Sequence, residues 1–309
     1  MATKKPKTTA KSSASKAKTT KPKTAAKTVT KPVSEAPKTK TVVEKTEKEK
    51  KSIFAGFFAK KYEENESILT IFKNPKFYGA LFGEFIGTAI LALLLFALSL
   101  MGIASIAQYS FALVAIFIAV YAFSGACLNP LVVAGLVATR RMSIIRGVMY
   151  IVAEVVGAWL GWVIFNGFHL AGGETAYAVP TMTQVGENQF FIFAMVELLG
   201  AIIISFFVAR ALKYKKSVFT YGAIIGGGIT LAIVVSYVVS AAFFGLNGNF
   251  ALNPAVALMF QIFPTTGSDF GEIMGGVGAA LAIYALFPMV GGVIGMYISD
   301  FAAKLSGEE

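Results

Sequence analysis

Ser124-Gly125-Ala126-Cys127-Leu128-Asn129-Pro130-Leu131 and Gly248-Asn249-Phe250-Ala251-Leu252-Asn253-Pro254-Ala255 each break a long apolar stretch with Asn-Pro. Proline lacks an N–H and suits the first helical position, so Asn-Pro ends one helix or opens another. Two such breaks in membrane-length apolar sequence set two helix N-termini, each beside an Asn, deep in lipid. Irregular backbone survives there only if protein buries it or it lines a wet cavity. The pair points to a pore.

Around the breaks, apolar stretches run at about 78–101, 109–127, 144–168, 189–212, 219–243 and 274–302. Each has the ~20 residues that a spanning helix requires. Two shorter pieces, 130–139 and 254–263, begin at the Asn-Pro and are too short to cross. Glu84-Phe85-Ile86-Gly87-Thr88 opens the first span, and Glu197-Leu198-Leu199-Gly200-Ala201 sits inside the fourth. Each is followed two apolar segments later by its Asn-Pro. An odd number of spans per repeat inverts the second copy, which is a known transport architecture. The expected fold is an all-α membrane protein. Six transmembrane helices and two half-helices form an inverted repeat, with a channel domain at 77–305 and repeats at about 77–141 and 189–263.

Charge locates the sides. Of the net charge of +11, residues 1–51 hold +12, from 16 Lys and 4 Glu, leaving −1 for the remainder. The basic residues beyond the tail are Lys60, Lys61, Lys73 and Lys76; Arg140, Arg141 and Arg146; Arg210, Lys213, Lys215 and Lys216; and Lys304. With six spans, these all fall on one side. The opposite loops, near 102–108, 170–188, 244–252 and 264–273, carry no Lys or Arg. The positive-inside rule makes both termini cytoplasmic in a multi-pass protein of the cell membrane.

The tail, rich in Lys, Thr, Ala and Pro, has too few large apolar residues to repay the entropy of ordering and is expected to be disordered. Residues 52–76 mix Ile53, Phe54, Phe57, Phe58 and Ile68 with Lys60, Lys61, Glu63 and Glu64, a composition for an amphipathic interfacial segment. No apolar signal-peptide core precedes the first span. The tail reads as an anchor for anionic lipids, at ~1 kcal/mol per Lys, or as a solvated spacer. Non-specific nucleic-acid binding ranks below both. One Cys and one His exclude a disulfide framework. No metal site, cofactor or base–nucleophile set is visible, so the chain does not read as an enzyme.

The residues resemble the aquaporin, or major intrinsic protein, family over roughly 78–303. The resemblance rests on Gly83–Thr88, the two Asn-Pro boxes, Tyr150-Ile151-Val152-Ala153-Glu154 with Gly157-Ala158, and Pro288 through Asp300-Phe301. It implies passive flux of water or small neutral solutes such as glycerol through a bundle assembled as a homotetramer. It further implies a pore centre of Asn129, Pro130, Leu131, Asn253, Pro254 and Ala255, whose Asn amides donate to a single-file solute. Glu84 and Glu197 resemble buried glutamates that anchor loop backbone. Glu154, where the family often has Gln, is expected to bond within the bundle.

The departures concern selectivity. The family usually places Arg after the second Asn-Pro-Ala, where this chain has Val256; the His that commonly precedes Leu-Asn-Pro is Cys127. Cys127 is thus a candidate vestibule residue or a small buried one. The resemblance implies a filter of Tyr109, Phe250 and Val256, with a fourth member at Val235 or Ala241 depending on the direction of counting. Such a filter is apolar and lacks a fixed cation. The competing readings are an ion- or anion-conducting pore of the same fold and a membrane anchor acting through its basic tail. His169 reads as interfacial, and Gly157, Gly161, Gly226 to Gly228, Gly291 and Gly295 as close helix contacts.

Overall fold

The computed structural model describes residues 68–101, 103–173, 187–214, 217–245, 250–260 and 270–308; the 1–51 tail and residues 52–67 of the expected interfacial segment lie outside the described residues. The described residues form α1 (Ile68–Lys73), α2 (Pro75–Met101), α3 (Ile106–Ser124), α4 (Pro130–Ala138), α5 (Ile144–Ala171), α6 (Glu187–Ala211), α7 (Val218–Phe244), α8 (Pro254–Phe260), α9 (Phe270–Leu281) and α10 (Phe287–Leu305). Among the described residues, six helical stretches are long and apolar enough to cross a membrane. The helices α4 and α8 are the half-spans.

Local chemistry sets the ends. Gly125 adopts the left-handed conformation (φ 87°) and returns its N–H to Tyr121 O, so α3 stops at Ser124. Gly245 does the same for α7 at φ 64°. These are C′ glycines, which take positive φ without a Cβ clash. Ser143 and Ser217 cap α5 and α7, their side chains accepting from the N–H groups of Arg146 and Thr220.

Two boundaries differ from the sequence expectation. The first span begins at Pro75, and the short helix before it buries Ile71 in the main core. The last span is not a uniform α-helix, because a π-helical turn at Ala282–Leu286 separates α9 from α10. Pro288 explains this, since it has no N–H to continue the regular ladder.

The packing is doubled. Helix α2 lies on α5 as α6 lies on α10; α2 meets α3 as α6 meets α7; and α3 and α7 pack on each other. The half-helices cross over, α4 resting on α10 and α8 on α5, so each repeat supports the other's half-span. Glycines make the close approaches. A Cβ on Gly161 would stand 2.5 Å from Ala89 O, and one on Gly157 would meet Phe85 O. In the second repeat, a Cβ on Gly291 would stand 2.6 Å from Leu198 O, and one on Gly295 would meet Ile202 O. Phe85 and Ala89 follow Glu84 as Leu198 and Ile202 follow Glu197, so the match is residue by residue. Small residues of this kind let backbones approach in lipid, where no hydrophobic force joins helices.

Gly161→Leu and Gly291→Leu are therefore expected to lower the thermal unfolding midpoint in detergent, overpacking costing ~1–3 kcal/mol. Gly79→Ala, with nothing within 4 Å of its added Cβ, should leave the midpoint unchanged or slightly raised.

Candidate functional site

Each half-helix starts where an Asn caps it. Asn129 is extended (φ −162°, ψ 119°), Pro130 fills the first helical position, and Asn129 Oδ1 accepts from Leu131 N at 3.2 Å. Asn253 Oδ1 accepts from Ala255 N at 3.0 Å and Val256 N at 3.4 Å. The amide nitrogens reach across. Asn129 Nδ2 donates to Leu252 O at 2.8 Å, and Asn253 Nδ2 donates to Leu128 O at 2.9 Å. Each amide thus caps its own helix with its oxygen and clasps the opposite loop with one N–H. A side-chain amide has two N–H groups, and the clasp uses one on each Asn.

Three buried carboxyls hold the loops in this shape. Glu84 accepts from Cys127 N at 3.0 Å and Leu128 N at 2.7 Å. Glu197 accepts from Ala251 N at 2.5 Å and Leu252 N at 3.0 Å. Glu154 adds a contact specific to the first loop, accepting from Asn129 N at 2.9 Å. Tyr221 Oη donates to Gly125 O at 2.7 Å and Tyr150 Oη to Ser124 O at 3.3 Å.

The grip imposes positive φ on Leu128 (51°) and Leu252 (48°), and on Ala126 (52°). Such backbone costs of order 1–3 kcal/mol per residue and persists only where surroundings over-determine it. Glycines one turn past the glutamates make room for it: a Cβ on Gly87 would sit 2.5 Å from Leu128 Cδ2, and one on Gly200 would collide with Leu252 Cδ2.

The expected filter residues are distributed unevenly. Tyr109 lies at the end of a buried stripe on α3 that continues through Leu113, Ile116, Phe117 and Val120, and its hydroxyl donates to Met101 Sδ at 3.3 Å. Phe250 is half-buried against the main core. Val256 has no exposed surface, and it sits in an apolar cluster with Phe96, Ala158 and Phe165.

Neither expected fourth member faces the bundle interior. At ~100° per residue, Val235 lies on the flank of the outer stripe of Leu231 (43% exposed) and Val238 (50% exposed). Ala241 falls on the opposite flank. The inward stripe of α7 carries Ile229, Ile233, Ser236 and Ser240, the two serines being at most 1% exposed.

On the side of the basic residues, a cavity of about 660 Å³ opens below the first loop, lined by Tyr121, Cys127, Arg141, Lys213, Tyr221 and Asp300, among others. Cys127 is thus both nearly buried and on the vestibule wall. Arg141 Nη2 meets Asp300 Oδ1 at 2.5 Å, tying the end of α4 to α10. His169 stacks on Phe165 at the far end of α5, at 11° and 6.0 Å. No cluster of metal-ligating residues occurs among the described residues.

Two half-helices clasped tip to tip inside six spans define a membrane channel built on an inverted repeat. Residues 71–299 match the Major intrinsic protein family, and the chain belongs to that family. It is a channel protein and not an enzyme. It is 29% identical to Aquaporin C of Dictyostelium discoideum over 233 residues, covering 70% of this chain and 81% of that protein. Its fold is similar to that of the aquaglyceroporin of Plasmodium falciparum, with a TM-score of 0.51 and 18% identity over 74% of this chain and 95% of that one.

Glu197→Ala leaves the N–H groups of Ala251 and Leu252 buried without their acceptor, at ~1–3 kcal/mol each. The variant is expected to unfold at lower temperature and to lose solute flux in proteoliposomes. Glu197→Gln keeps an acceptor oxygen and should fall between it and the wild type.

Proposed function

We propose that the pore passes water and small neutral, glycerol-like solutes, and that its outer constriction is apolar with one hydroxyl-bearing wall. The observation that carries this reading is Val256, fully buried in the wall at the position where a fixed guanidinium would otherwise stand. Without that cation, the constriction loses both a rigid set of donors and an electrostatic barrier. What remains against cations is the pair of half-helix N-termini, whose partial positive charge meets at the Asn clasp. Tyr109 and Phe250 supply the aromatic walls. Ser240, inward on α7, is the fourth member in place of Val235 or Ala241. A lumen of that kind slides the carbon backbone of a polyol along apolar walls while the Asn amides address its hydroxyls.

In this reading the protein is a homotetramer in the cell membrane. Its basic face and both termini are cytoplasmic, so the 660 Å³ vestibule is the inner mouth. The tail is an anchor for anionic lipids or a solvated spacer.

Stopped-flow light scattering on proteoliposomes tests the filter. Val256→Arg is expected to lower glycerol permeability relative to water by roughly tenfold, the scale of discrimination that a size-limited site achieves. Ser240→Leu should reduce glycerol flux while Ala241→Leu leaves it unchanged. An unaltered glycerol-to-water ratio in Val256→Arg, in protein that still unfolds cooperatively, contradicts the filter assignment. An effect of Ala241→Leu without one of Ser240→Leu contradicts the register.

A further inference from the structure

The strongest charge arrangement that the pore does not use lies at the end of α6. Arg210 stands in the last turn of α6, Lys213 in the 3₁₀ turn Leu212–Tyr214, and Lys215 and Lys216 follow in sequence. Four cations thus fall within seven residues directly past an apolar span. The C-terminal segment brings a carboxylate to them. Helix α10 closes with Ser306 N–H on Ala302 O at 3.0 Å. Gly307 then turns the chain at φ 68°, and Glu308 N–H returns to Ala303 O at 3.0 Å. This turn delivers the Glu308 side chain onto the α6 end. Arg210 Nη1 meets its Oε2 at 2.6 Å, Arg210 Nη2 meets Oε1 at 3.2 Å, and Lys213 Nζ meets Oε2 at 2.7 Å.

We propose that Arg210 and Lys213 form a binding site for a phosphomonoester group at the membrane surface, and that Glu308 occupies the seat such a phosphate would take. A planar guanidinium fork accepts a phosphate with the same two-point geometry as a carboxylate, and a flanking ammonium adds a point charge. Four basic residues immediately past a span form the pattern that selects polyanionic headgroups. Tyr214, 46% exposed between Lys213 and Lys215, is an aromatic suited to headgroup depth. Lys213 also lines the vestibule, so the site lies on the rim of the pore.

The resident carboxylate leaves only for a competitor. Arg210 and Lys213, by hydrogen bonding, hold Glu308 well below its ordinary value of 4.5, at about 2. Whatever this contact contributes is present above the ordinary carboxylate range and is lost only as pH falls through about 2. Acidification within any physiological range therefore does not vacate the seat. A more highly charged anion does.

Native mass spectrometry of the full chain in detergent, with phosphatidylinositol bisphosphate, phosphatidylcholine or soluble inositol trisphosphate added, tests the site. The bisphosphate lipid is expected to be retained over phosphatidylcholine. Arg210→Gln and Lys213→Gln should each weaken that retention about fivefold, the factor equivalent to ~1 kcal/mol per cation. Glu308→Gln, which removes the competitor at an exposed position, should strengthen it. That opposite sign separates a ligand site from a merely structural ion pair. Retention of the lipid alone identifies a membrane headgroup as the ligand, and equal binding of inositol trisphosphate identifies free phosphate esters. Two results overturn the site: lipid retention unchanged in the Arg210→Gln/Lys213→Gln double variant, or retention unchanged or weakened in Glu308→Gln.

Discussion

The crossed amide clasp between Asn129 and Asn253 is the constraint on which the rest of the molecule depends. Two half-helices meeting inside a bilayer leave their first N–H groups and the preceding loops without water to bond. Each Asn meets part of that need, capping its own helix while donating to the carbonyl before the opposite Asn. The carboxyls Glu84, Glu154 and Glu197 meet the rest. Once these groups are paired, the positive φ of Leu128 and Leu252, the glycines beneath their side chains and the crossing of α4 onto α10 all follow as geometric conditions for the clasp.

The two halves are alike in backbone but not in chemistry. Glu154 gives the first loop an additional buried acceptor, whereas Pro288 occupies the matching place before the glycines of the last span, next to a π-helical turn. The first loop borders the vestibule with its cation-lined rim. The second leads toward Phe250 and Val256. The asymmetry sets a basic vestibule on one side of the clasp, while the clasp itself stays nearly two-fold.

The fold was legible in the sequence because each of its determinants leaves a strong local mark. Asn-Pro marks a helix start, the length of the apolar runs marks a crossing, and the repeated Glu-x-x-Gly marks the loop anchors. The anchoring contacts of Glu84 and Glu197 lie where those motifs led. The filter was less legible. At the filter position that the resemblance implies, the aliphatic side chain of Val256 packs against Phe96 and Phe165. Counting from the two motifs gives Val235 or Ala241, and a shift of one residue rotates a helical position by ~100°. The inward stripe of Ser236 and Ser240 on α7 is visible only through the exposure pattern along that helix. The C-terminal contact of Glu308 with Arg210 and Lys213 joins residues about a hundred positions apart, with no motif to signal it.

Paired recordings on the same proteoliposome preparation test the central claim most directly: stopped-flow permeability to water and glycerol, and ionic current after fusion to a planar bilayer. The clasp-and-wall account predicts water and glycerol flux well above that of protein-free vesicles, with no current above the bare bilayer. Ionic conductance, or water flux with glycerol excluded, would contradict it.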